Sequence, residues 1–137
     1  MAADGPATTR RQARERALSL LYEAEAKGAP AHEVLEELPL EPAPFASQVV
    51  LGVSEHRQEL DDLISRYSRN WPLERMPAID RTLLRMGVFE LKYRPDVPVA
   101  VAISEAVELA QRYSTDESGR FVNGMLARIA EELHRPA

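Results

Sequence analysis

Four arginines fall within seven residues near the start of the chain: Arg10, Arg11, Arg14 and Arg16. The segment reads as the opening turns of a helix. That end of a helix carries the positive pole of its dipole, where an exposed cation costs roughly 0.3–1 kcal/mol. Glu15 stands one turn from Arg11 and can pair with it; the others have no obvious local partner. An incoming polyanion would offset the cost, and a solvated basic terminus is the other reading. Arg10, Arg14, Leu18 and Tyr22 follow one row at a spacing of four, so guanidinium groups and an aromatic ring share a face. That mixture suits RNA, whose phosphates take cations and whose unpaired bases stack.

A second basic row lies in the middle of the chain. Arg81, Arg85 and Lys92 fall almost in line on a helix read over 78–93. The row is either an anion-facing edge or a solvated, salt-bridged one. No other constellation supports chemistry. His32, His56 and His134 are far apart and have no ligand partner at metal spacing. The stretch from Gly119 to Gly124 lacks the Lys-Ser/Thr and the preceding strand of a phosphate-binding loop. Glu131 and Glu132 are sequence neighbours, which do not face each other on a helix. No nucleophile has a visible base, so neither an enzyme, a cofactor nor a metal is expected.

The elements that would position these residues are helical throughout. Residues 1–8 read as a disordered tail. Thr9 and Gln12 form a capping box, and Gly28 and Pro30 stop the helix near Lys27. A short helix is read over 31–38, then Pro39, Pro42 and Pro44 impose a loop. Apolar spacing is helical again from Phe45 to Tyr67, with a bend near His56–Glu59. Trp71 and Leu73 sit in a connector and read as core pegs or partner anchors.

Pro77 and Pro95 bracket the 78–93 helix, which is apolar round most of its circumference and so must be covered by others. Asp96-Val97-Pro98 starts the next helix. Ser114 and Glu117 read as a second capping box launching the last one. Gly119 and Gly124 near its start suggest close approach of another helix or a ligand. No strand alternation is present. The fold class is all-α, six or seven helices.

The totals fit this reading. A chain of 137 residues, 45% hydrophobic and 28% charged, suits one compact globular domain. No apolar run is long enough to span a membrane, and no apolar signal core is present, so a cytoplasmic protein is expected. The absence of cysteine excludes a disulfide framework and thiol chemistry. The net charge of −5 argues against nucleic acid, but the excess acid lies in residues 28–65. A basic face elsewhere remains compatible with it.

Three stretches together resemble a known family. One is the start, Arg10-Arg-Gln-Ala-Arg-Glu-Arg-Ala-Leu-Ser-Leu-Leu-Tyr. The second is Asp80-Arg-Thr-Leu-Leu-Arg-Met-Gly-Val-Phe-Glu-Leu. The third runs from Asp96-Val-Pro-Val through Tyr113-Ser and on to Asp116-Glu-Ser-Gly-Arg-Phe-Val-Asn-Gly-Met-Leu. In that order they resemble the NusB family of bacterial transcription antitermination factors, over nearly the whole chain outside residues 1–8 and 28–44.

The resemblance implies two packed helical bundles within a domain at 9–135, divided at about 9–69 and 70–135. It implies binding of single-stranded boxA RNA from ribosomal RNA leaders, together with NusE, a small-subunit ribosomal protein. The pair would join the RNA polymerase antitermination complex and let polymerase read through terminators. Arg10, Arg11 and Arg14 would then bind phosphates, with Tyr22 and Arg81 extending the surface. Arg120, Phe121 and Asn123 would contact RNA, Phe121 by stacking and Asn123 through base edges. Asp80 resembles an acidic position at the partner interface.

Ser104 and Ser114-Thr115 depart from the usual pattern, which puts a polar contact and a helix junction in question. With two lysines and a net negative charge, tight RNA binding is expected only with the basic partner present. A helical protein–protein adaptor without RNA binding is the competing class. An accessory domain of an RNA methyltransferase is a further one, although this chain leaves no room for a catalytic domain. A homodimer that hides the RNA face is also compatible with the sequence.

Overall fold

A computed structural model describes residues 9–68 and 71–134. The tail expected over 1–8 lies outside the described residues. These contain seven α-helices, one 3-10 turn and no strand: α1 (Arg10–Lys27), α2 (Ala31–Glu36), α3 (Pro44–Glu55), α4 (Arg57–Tyr67), the 3-10 turn Leu73–Arg75, α5 (Ala78–Tyr93), α6 (Val99–Tyr113) and α7 (Asp116–His134). The all-α expectation holds. None of these helices is long and apolar enough to cross a membrane.

Local chemistry sets the boundaries. At the start of α1 the Thr9 hydroxyl accepts from the Gln12 N–H at 3.1 Å, and the Thr9 N–H donates to the Gln12 carboxamide at 2.9 Å. At its other end Gly28 adopts φ 64°, a left-handed conformation that glycine takes without a Cβ clash. The helix read over 31–38 ends earlier, at Glu36. The expected bend resolves into a break at His56 between α3 and α4.

The chain divides into two compact units, Met1–Glu55 and His56–Ala137. In the first unit α1 packs on α3, with α2 against both. Ala17, Leu20, Val34, Ala46, Val49 and Val50 are fully enclosed there. In the second unit α5 is covered by α4, α6 and α7. Leu83, Leu84, Val88, Leu126 and Ile129 form its centre. Helix α4 packs on α5 and α7 within the second unit. At Gly87 a Cβ would stand 2.6 Å from Leu126 Cδ1, so glycine is what lets α5 and α7 approach this closely.

Candidate nucleic-acid interface

The first unit carries the N-terminal arginines on α1. No acidic residue lies in the first turn of this helix. Arg10 and Arg11 are exposed, whereas Arg14 is only 4% exposed. Arg10 and Arg14 both face Phe45, in the first turn of α3 after the proline loop. The Arg10 guanidinium lies 4.6 Å, and that of Arg14 5.0 Å, from its ring centroid. Such cation–π contacts contribute about 0.5–2 kcal/mol and fix the direction of the guanidinium.

The Arg10–Arg14–Leu18–Tyr22 row is not uniformly open to a ligand. Leu18 and Arg14 are buried, while Tyr22 is 46% exposed. Tyr22 also stands twelve residues from Arg10, about 18 Å along the helix. Phe45 was missed as a positioning residue. Its only sequence signal was an aromatic at the first turn after a proline run.

In the second unit the basic row on α5 is not an anion-facing edge. Arg85 is 4% exposed and donates from Nε to Asp61 Oδ1 at 2.7 Å and from Nη2 to Oδ2 at 3.1 Å. Lys92 is paired with Glu59. Arg81 donates from Nη1 to the carbonyls of Met76 and Leu73 at 2.8 and 3.2 Å. Its guanidinium thus ties down the 3-10 turn, while the residue stays half-buried.

The same unit contains an open cleft of about 660 Å³ where the α6–α7 junction meets the start of α5. Trp71 and Pro77 line it, with Arg120 and Phe121 of α7. Phe121 is half-buried and meets Trp71 edge-on, ring centroids 4.8 Å apart. Neither ring is a core peg; both keep part of their surface in the cleft. Arg120 and Asn123 are exposed, and Leu73 is half-buried in the 3-10 turn.

The junction itself differs from expectation. Ser114 ends α6, its N–H donating to the Ala110 carbonyl, and does not cap α7. Thr115 does so instead, its hydroxyl accepting from the Ser118 N–H at 2.9 Å. Glu117 takes no part in this cap and lines the cleft. Of the two α7 glycines, a Cβ on Gly119 would press 2.6 Å from Gln111 Cγ of α6, while one on Gly124 would meet open space.

Asp80 occupies the third position of α5 and lines the cleft, yet is only 1% exposed. It is a sunken acceptor and not a surface charge. Neither carboxylate oxygen has a hydrogen-bond partner among the described residues. Sequence explains part of this. A side chain at that position would ordinarily reach back to the N-cap N–H, and the N-cap here is Pro77, which has none. Among the described residues no group of acidic or histidine side chains could hold a metal.

Comparison with known proteins fits this geometry. Residues 11–131 match the family model described as the NusB family. The transcription antitermination protein NusB of Kineococcus radiotolerans is 54% identical over 126 residues, covering 89% of this chain and 93% of that protein. The structure of T. maritima NusB superposes with a TM-score of 0.85 at 38% identity, covering 94% of each chain. A crystal structure of the antitermination factors NusB and NusE in complex with double-stranded RNA matches with a TM-score of 0.77 at 27% identity, covering 90% of this chain and 96% of that one. The chain belongs to the NusB family.

Proposed function

We propose that this protein is a transcription antitermination factor that binds boxA RNA of ribosomal RNA leader transcripts together with NusE, and helps RNA polymerase read through terminators. The observation that carries this reading is the start of α1. Arg10 and Arg11 stand exposed at the positive pole of a helix with no acidic residue in its first turn. A phosphate backbone would be drawn to exposed cations at that end of a helix. Arg14, held over Phe45, sets the direction of this edge. Tyr22 offers an exposed ring farther along the same helix.

In the second unit Arg120 would take phosphate, Phe121 would stack and Asn123 would read a base edge. Arg81 acts through the turn that presents Trp71. Trp71 and Leu73 are the residues we assign to NusE contact; the sunken Asp80 is removed from that face. RNA-bound NusB and NusE in a related structure support the same pairing for this chain.

The test is fluorescence anisotropy of labelled boxA RNA against a scrambled control, at fixed moderate salt, with and without NusE. Preference for boxA that strengthens with NusE is expected. Equal weak binding of both RNAs in the presence of NusE would instead favour a protein–protein adaptor.

A further inference from the structure

Beside the arginine edge of α1 stands one side chain that attraction between charges does not explain. Phe45 is 8% exposed, in the first turn of α3 next to Pro44. Packing at such a position asks for an apolar side chain, and leucine would serve. What an aromatic ring adds is a face for cations. The Arg10 guanidinium lies 4.6 Å, and that of Arg14 5.0 Å, from the ring centroid. Both are inside the roughly 6 Å over which the ring quadrupole attracts a cation.

The two arginines are not equivalent. Arg14 is 4% exposed, whereas Arg10 is exposed, so Arg10 is the one that a phosphate reaches. It is the first residue of α1, and the Thr9–Gln12 capping box fixes the backbone around it. Its guanidinium is fixed by a different element, because α3 packs on α1 within the same unit. Ala13 and Ala17 of α1 and Ala46 of α3 are buried and small, which lets packed helices run close together. An arginine that rotates freely loses much rotamer entropy when it binds phosphate. One already held over a ring loses less, so the same charge contributes more affinity.

We infer that Phe45 is a positioning residue for RNA binding, whose ring holds the Arg10 guanidinium in its binding direction before RNA arrives. The inference rests on the RNA-binding reading above and deepens it.

The test measures anisotropy of labelled boxA RNA with NusE present, using the full chain as parent, Phe45→Leu, Phe45→Tyr, Arg10→Ala and Arg10→Ala/Phe45→Leu. Phe45→Leu keeps an apolar side chain but removes the π face, and weakens binding about fivefold. The dependence of affinity on salt keeps its parental slope, because no charge is removed. Phe45→Tyr restores the face and binds within about twofold of the parent. In the Arg10→Ala background the leucine substitution changes affinity by less than about twofold, since the group it positions is gone. A second measurement uses the unaltered protein without RNA: the Arg10 Hδ protons, held against the ring, resonate upfield of their random-coil positions.

Parental affinity in Phe45→Leu, with binding still weakened by Arg10→Ala, would overturn the positioning role and leave the RNA reading intact. An equal loss from Phe45→Leu in both backgrounds would assign Phe45 to packing alone and overturn the inference. So would random-coil Arg10 Hδ shifts in the parent, whether or not any Phe45 variant folds. Absence of RNA binding, or binding indifferent to Arg10→Ala, would overturn both readings.

Discussion

Arg10 and Arg11 on α1 and Arg85 and Lys92 on α5 are the same kind of feature in the sequence, cations repeating along one edge of a helix. In the folded protein they diverge. The α5 cations meet carboxylates supplied by α4: Arg85 is clamped by Asp61 in a two-point pair and Lys92 is joined to Glu59. The α1 cations stand exposed in a first turn with no acid. A row of arginines thus reports where charge lies on its own helix. Whether that charge is structural depends on the helix packed against it, 24 residues away in the case of Asp61 and Arg85.

Removing a structural partner should have the largest effect. Asp61→Ala leaves the Arg85 guanidinium buried without its carboxylate, and should cost about 3 kcal/mol, the low end for a broken buried pair because Asp61 retains some solvent contact. In a chain of this size that corresponds to a melting temperature lowered by roughly 10 °C, measurable by circular dichroism. A shift under 2 °C would mean that the pair is solvated and the contrast between the two rows false.

A smaller loss is expected from Thr9→Ala, which removes the hydroxyl that accepts the Gln12 N–H. About 1 kcal/mol of stability should disappear. If the arginine edge depends on an ordered first turn, RNA affinity should fall with it.

The smallest effect concerns acid. Hydrogen bonds from Lys92 and Tyr93 hold the Glu59 carboxyl below its ordinary value of 4.5. Hydrogen bonding from Tyr67, with Arg66 beside it, does the same for Glu132. A depressed carboxylate contributes stability above its unfolded pKa and loses it as pH falls through the folded value. Thermal melts from pH 6 down to pH 3 should therefore decline below about pH 4.5. Glu59→Gln/Glu132→Gln should flatten that decline, and an unchanged slope would show that neither carboxylate is held in solution.

Much of this fold is legible from local signals. The Thr9–Gln12 box, the left-handed Gly28 and the proline brackets around 78–93 each act within a few residues, and the observed boundaries of α1 and α5 follow them. The site was less legible, because its decisive facts depend on burial and distant contacts. The burial of Arg14 was not legible because Phe45 is far away in sequence, nor the pairing of Arg85 because Asp61 is. At the α6–α7 junction two adjacent hydroxyl residues, Ser114 and Thr115, could each serve as the cap, and the sequence does not tell them apart. Asp80 carried no signal of being buried at the cleft; only the missing N–H of Pro77 hinted that its usual partner was absent.

The central claim is that the α1 arginines contact RNA and the paired α5 cations serve the fold. The most direct test measures boxA affinity against salt concentration, with NusE present, for the parent, Arg10→Ala/Arg11→Ala and Lys92→Ala. Each phosphate contact to a single strand contributes roughly 0.7 to the logarithmic salt slope. The double variant should therefore lose about 1.4 of slope, and Lys92→Ala should keep the parental slope. Equal slopes for the parent and the double variant, or a slope that falls only in Lys92→Ala, would contradict the account.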